Sequence, residues 1–207
     1  MVEIVEPSFE IEPFDSTAMM KRIEEDGRIC YQSKHKITPD SYSKFIRMII
    51  GRGHESVLEH EKITVRVVCD RGVTHEIVRH RLGAYSQEST RYCNYSQGRF
   101  GGSIKVIDPV QYMDELPRNV WLQAMIEAEE AYLALIGMGV KPQMARSVLP
   151  NSLKTEIVIT YNLRQWRHFF RLRTAKAAHP QMREITVPML DEFKKLLPPV
   201  FEDIEVK

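Results

Sequence analysis

Two stretches alternate apolar and polar residues strictly enough to predict strands. In KITVRVVCD, residues 62–70, Ile63, Val65 and Val67 alternate with Thr64 and Arg66, and KTEIVITYN, residues 154–162, repeats the pattern. Shorter extended segments are expected at residues 2–6, with Pro7 and Pro13 framing the entry, and in SIKVI. Helical spacing takes over elsewhere. One helix runs from about Ser16 to Cys30, weakened by Gly27. A second takes Thr38 as its cap and Pro39 as its first residue, carries Phe45, Ile46, Ile49 and Ile50, and ends at Gly51 and Gly53. Asp70 can cap a third over 71–81, with Val73, Ile77 and Val78 toward the core. Its Glu76 and His80 stand one turn apart, as do His75 and Arg79. A long helix runs from Pro117 to about Met138, with Val120, Ala124, Ile126 and Tyr132 among its apolar positions. A short one opens at Pro142 and stops at Pro150, and a last one spans Gln181 to about Leu197, followed by a PPVFED tail. The pattern predicts an α/β (α+β) fold. A central, mostly antiparallel sheet is flanked by helices, with strands 62–70 and 154–161 in the middle, in a single domain over 1–207.

LRQWRHFFRLR, residues 163–173, is the most informative helix. At about 100° per residue, Arg164, Arg167, His168 and Arg171 share one side, while Leu163, Trp166, Phe169 and Phe170 share the other. Arg173 falls among the aromatics. An arginine stays charged, so a buried one requires an anionic or carbonyl partner. No acid lies between Glu156 and Glu184 to supply it locally. The partner is then a distant acid or a bound ligand.

The formal net charge of +1 argues against a general nucleic-acid coat. The three cysteines, Cys30, Cys69 and Cys93, are far apart, which suggests free thiols in a reducing, cytoplasmic setting and gives no metal framework. No apolar run is long enough to span a bilayer. In GRGHESVLEH the spacing of His54 and His60 does not place both on one helical face, so a polar pocket wall or solvated loop is favoured over a metal site.

Against that neutral background, RHRLGAYSQESTRY, residues 79–92, concentrates Arg79, Arg81 and Arg91 with His80, Ser86 and Ser89. It reads as a solvated loop or a ligand cradle, since guanidinium forks and hydroxyls suit phosphate and carboxylate oxygens. Arg146 is the one charge in QMARSVLP and is either snorkelling or paired. If these segments meet, they form an anion pocket rather than a general field. There is no Walker pattern, no G-x-G-x-x-G and no G-x-S-x-G elbow. Two readings follow from the residues: an enzyme acting on a phosphorylated small molecule, or a nucleic-acid module that uses Arg, Tyr and Phe.

The motifs together resemble the flavin-dependent thymidylate synthase family, ThyX. That family carries Arg-His-Arg, seven residues, then Ser; here these are Arg79-His80-Arg81, LGAYSQE and Ser89. GHESVLEH, QMARSVLP and NLRQWRHFFRLR resemble three further family segments, collinear from about residue 51 to 185. The resemblance implies a homotetramer with active sites between subunits, binding dUMP and FAD and using NADPH and 5,10-methylenetetrahydrofolate. It places His54, Ser56, Glu59, Arg79, His80, Arg81, Gln87, Asn162, Arg164 and His168 at the flavin. It places Glu76, Arg79, Gln87, Glu88, Ser89, Thr90, Arg91 and Arg146 at dUMP, with Arg173 at the uracil edge as the catalytic group. The implied chemistry is reductive methylation of dUMP to dTMP, with no protein thiolate and no metal. Two departures stand out. Ser86-Gln87 replaces the common Asn-Glu, so an amide stands where a carboxylate is usual, and Glu76 stands where many members have Gln.

Overall fold

The computed structural model describes residues 2–109 and 112–206. Strands β2 (Ser8–Ile11), β3 (Lys62–Asp70), β4 (Ala84–Gln87) and β6 (Lys154–Asn162) form a mostly antiparallel sheet in the order β2-β3-β6-β4. The two strands with the strictest alternation are therefore the central ones, as expected. Their odd-numbered residues are buried: Ile63, Val65, Val67 and Cys69 on β3, and Ile157, Ile159 and Tyr161 on β6. β1 (Glu3–Ile4) pairs in parallel with β5 (Lys105–Val106) in a separate two-stranded sheet.

The chain divides into two compact units. The first holds residues through Ser8, Val67–Arg79 and Tyr85–Val158. It contains α3 (Arg71–Ile77), α4 (Glu115–Gly137) and α5 (Pro142–Ala145), and its core gathers Tyr95, Ile104, Val106, Met125, Tyr132, Ala145 and Leu153. The second holds Phe9–Arg66, His80–Ala84 and the chain from Ile159 onward. Its helices are α1 (Ser16–Ile29), α2 (Ser41–Gly51), α6 (Leu163–Arg173), α7 (Pro180–Leu196) and α8 (Pro198–Phe201). Its core is aromatic. Trp166 lies 5.1 Å from Phe193 and Phe170 lies 4.9 Å from Phe193, centroid to centroid, favourable distances for rings that meet at an angle.

Several elements differ from the pattern-based expectation. The second helix starts at Ser41, not at Pro39, because Thr38 and Ser41 close a turn on each other. The Ser41 hydroxyl accepts from the Thr38 N–H at 2.9 Å and faces the Thr38 carbonyl at 3.1 Å. The helix capped by Asp70 ends at Ile77, well short of 81, so the pairs Glu76/His80 and His75/Arg79 do not share a helix. The Tyr85 phenol takes up the Ile77 carbonyl at 3.2 Å, which satisfies an acceptor the helix leaves open. Val78 then lies outside the helix and is exposed, and so is Val120 on α4. The polar stretch after Gly83 is not all loop: residues 84–87 form β4, and the Glu88 N–H donates to the Glu156 carbonyl at 2.8 Å. The link 94–102 sends Tyr95 into the first unit's core, and the PPVFED tail contains α8.

Gly27 is more than a weak point in α1. A Cβ there would lie 2.6 Å from the ring of Phe45, so the glycine permits a close approach of α1 to α2. Among the described residues no helix is long and apolar enough to cross a membrane.

Candidate functional site

In the second unit, β6 passes directly into α6. Asn162 makes the join: its side chain accepts the Gln165 N–H at 2.8 Å and caps the helix. The helical period then turns Arg164, His168 and Arg171 outward and buries Leu163, Trp166, Phe169 and Phe170. Arg167 departs from the expected polar side. It is fully buried, reaches both oxygens of Asp203 at 2.6 and 2.7 Å, and also bonds Glu55 at 3.2 Å and the Val200 carbonyl. At about 100° per residue Arg167 sits as close to Leu163 as to Arg171, with Phe170 only slightly further round. The sequence leaves a distant acid open as the partner of Arg173; the structure shows one at Arg167, for which none is expected, while Arg173 donates to His80.

A cavity of about 520 Å³ opens on the outward face of α6. Asn162, Arg164 and His168 line it, together with Arg81, Glu59 and the exposed Leu82. Arg171, Gln165 and Glu55 complete the wall; the last three were not anticipated at this site. Glu59 pairs with Arg164 at 2.5 Å and Glu55 with Arg171 at 3.2 Å, while among the described residues Arg81 has no carboxylate partner. The wall therefore keeps a positive excess beside apolar surface. His54 and Ser56 are exposed on the same segment as Glu55 and Glu59 but are not part of the lining.

His80 is buried rather than presented to solvent. Arg173 donates through Nε to its Nε2 at 2.8 Å, and the Phe169 ring packs 5.0 Å away. Burial, then the Arg173 and His168 charges, push the His80 imidazole down to about 4, so it is neutral at pH 7. With Nε2 accepting, the ring proton sits on Nδ1. The Gln165 carboxamide nitrogen, Nε2, lies 3.4 Å from Nδ1. Arg173 is half-buried at the end of α6.

The first unit collects most of the residues matched to dUMP. Arg146 donates to the Thr90 hydroxyl at 3.4 Å, and Arg91 donates through Nε to the Gln143 carboxamide at 3.3 Å. The segments 89–91 and 143–146 thus meet. Among the described residues neither guanidinium faces a carboxylate, so both keep their charge for an external anion. Ser89 opens the turn, its carbonyl accepting from Tyr92 and Cys93 and its hydroxyl from the Arg91 N–H. Arg79 is exposed and Glu76 half-buried at the end of α3.

Glu88 already has partners within this unit. It pairs with Lys154 at 3.0 Å and accepts from the buried Tyr95 phenol at 2.7 Å. Burial and Glu88 together raise the Tyr95 phenol far above the ordinary tyrosine range. Gln87, Glu88 and Lys154 line a cavity of about 850 Å³ that also reaches Arg99 and Phe100. Burial raises the thiols of Cys69 and Cys93, and neither is a ready thiolate. Among the described residues there is no group of three or more side chains suited to hold a metal.

The chain matches the family model Thy1, thymidylate synthase complementing protein, over residues 14–199. It is 36% identical over 184 residues to the flavin-dependent thymidylate synthase of Geobacter sulfurreducens, covering 86% of this chain and 78% of that protein. It is 32% identical over 196 residues to the same enzyme of Pyrococcus furiosus, covering 94% of this chain and 80% of that protein. Its fold is similar to the solved structure of the UMP/dUMP methylase PolB from Streptomyces cacaoi bound with 5-Br dUMP, with a TM-score of 0.78 and 23% identity. That similarity covers 97% of this chain and 95% of the other.

Proposed function

The chain belongs to the flavin-dependent thymidylate synthase family, and on that premise we propose that it catalyses the reductive methylation of dUMP to dTMP. In this reading 5,10-methylenetetrahydrofolate donates the carbon, NADPH is the reductant, and the protein acts in the cytoplasm. It works as a homotetramer with active sites between subunits, each subunit forming a single synthase domain.

The observation that carries the reading is the shared lining of one cavity by Arg81, Asn162, Arg164 and His168, four residues matched to flavin positions. Guanidinium groups, a carboxamide and an imidazole beside the apolar Leu82 are the donor set that a diphosphate and a heteroaromatic ring require. The residues fit FAD on that ground. FAD, when bound, supplies the hydride that completes the methyl group. Glu59 already lines the cavity, and His54, Ser56, Arg79, His80 and Gln87 join this site in the assembly.

The remaining roles fall to the chain's own side chains. Arg91 and Arg146, with Ser89, Thr90 and Arg79, hold the dUMP phosphate. Glu76, Gln87 and Glu88 border the nucleotide. Arg173 faces the uracil edge and stabilises negative charge at N3, while the neutral His80 fixes the angle of its guanidinium. Catalysis rests on preorganised charge rather than on attack by a cysteine.

The test is an absorbance scan of the purified protein supplied with FAD, followed by titration with dUMP. A flavin band that dUMP perturbs at saturable concentration is expected. A protein that stays colourless after gel filtration and is indifferent to dUMP overturns the reading.

A further inference from the structure

Gln87 stands where the common pattern has a carboxylate, and its surroundings explain how an amide serves there. Its Nε2 donates to the Thr74 hydroxyl at 3.0 Å and to the Thr155 hydroxyl at 3.3 Å. Both threonines are essentially fully buried. The Thr74 hydroxyl in turn donates to the Arg71 carbonyl at 2.9 Å. A carbonyl can only accept, so the single hydroxyl proton of Thr74 is spent on Arg71, and Thr74 can only accept from Gln87. This fixes which end of the carboxamide faces the threonines: it is the NH₂ end.

An amide nitrogen has two protons, and two threonine oxygens take them. What Gln87 has left to offer is Oε1, to which no donor is bonded among the described residues. We infer that Thr74 and Thr155 are positioning residues that turn Gln87 into an acceptor-only group for a hydroxyl of the bound nucleotide. The pair lets a neutral side chain present what a carboxylate would present, without adding a negative charge beside a phosphorylated ligand. A free glutamine could swing its NH₂ toward the ligand and donate to that oxygen instead of accepting from it; the buried clamp prevents that rotation and leaves the acceptor facing the ligand. The inference rests on the proposed placement of Gln87 at the nucleotide.

The experiment compares Gln87→Ala, Thr155→Val and Thr155→Ser in the holoenzyme, measuring KM and kcat for dUMP together with the melting temperature. Valine keeps the shape and strand propensity of Thr155 and deletes only the hydroxyl. Gln87→Ala is expected to raise KM for dUMP roughly tenfold, the scale of one well-made hydrogen bond. Thr155→Val is expected to raise KM roughly threefold to tenfold with a smaller change in kcat, and Thr155→Ser to restore it. A Thr155→Val enzyme with the parent KM, while Gln87→Ala is impaired, overturns the clamp but not the site. Parent kinetics in Gln87→Ala overturn the placement of Gln87 itself. If Thr155→Val lowers the melting temperature and kcat together and leaves KM alone, the role of Thr155 is structural and the inference fails.

Discussion

The Nε–H of Arg173 donates to Nε2 of His80 at 2.8 Å, joining the end of α6 to the middle of the Arg-His-Arg motif. The bond requires an unprotonated imidazole, and burial and charge keep His80 in that form at pH 7. It sets the direction of a guanidinium that the proposed chemistry needs at the uracil edge. Arg173→Ala is expected to keep the fold and the flavin colour and to lower dUMP turnover roughly a hundredfold, the usual scale for removing one preorganised charge-stabilising donor. Wild-type-like turnover by that variant would remove Arg173 from the mechanism.

The same pair gives the protein a pH signature. The His80 imidazole titrates at about 4 when folded, against an ordinary value of 6.5. Between those values the unfolded chain binds a proton that the native state refuses, so stability falls as pH drops from 6.5 toward 4 and is unaffected by this group above 6.5. Arg173→Ala removes one cause of the depression and leaves burial, the larger one. His80 should then titrate higher than in the parent but still below 6.5. Histidine resonances followed by NMR against pH check both statements, and a parent His80 titrating near 6.5 contradicts them.

Arg167 tests a different link, between packing and charge. It is buried against Asp203 from the chain's last segment. Partial burial pulls the Asp203 carboxyl upward, but hydrogen bonds from Arg167 and the charges of Arg167 and Arg171 outweigh it and hold it below the ordinary range. Asp203→Ala removes a half-exposed partner and leaves the buried guanidinium with Glu55 and the Val200 carbonyl, so it should cost about 2 kcal/mol, less than the loss of a fully buried partner. Chemical denaturation measures it. A loss below about 1 kcal/mol would mean that the pair does little to hold the C-terminal segment in place.

Gly27→Ala decides between two opposed effects. Replacing a helical glycine by alanine is ordinarily worth up to about 1 kcal/mol in favour of the helix. Here the added Cβ would lie 2.6 Å from the Phe45 ring, and forcing such a contact in a packed core costs about 1–3 kcal/mol. A net loss of stability is expected in thermal unfolding. A gain would show that α1 and α2 separate easily.

Much of this is legible in the sequence. Strict alternation located β3 and β6 as central strands, and the Asn162 cap with the aromatic stripe of α6 followed from spacing alone. The differences have physical causes. Residues 84–87 carry few large apolar side chains, so strand β4 is held by its pairing and by Tyr85 rather than by a hydrophobic pattern. At the early end of α3 the Ile77 carbonyl is taken up by that same Tyr85, eight residues beyond the helix terminus. Arg167 lies at the margin of the helix's two faces, and its acid, Asp203, lies far away in sequence. Long-range partners of this kind leave no local periodicity to read.

Within the cavity on α6, Arg81 is the guanidinium without a carboxylate neighbour among the described residues, so its loss is not buffered by an existing ion pair. Arg81→Ala is expected to release FAD during gel filtration, while Arg171→Ala, where Glu55 already shares the charge, should release less. Equal retention of flavin by the Arg81 variant and the parent would remove Arg81 from the flavin site.

The most direct measurement is product formation by the purified protein given dUMP, 5,10-methylenetetrahydrofolate, NADPH and FAD, with nucleotides separated chromatographically. Formation of dTMP that depends on all four additions and collapses in Arg173→Ala is expected. A flavin-loaded protein that binds dUMP yet forms no dTMP would contradict the proposed function.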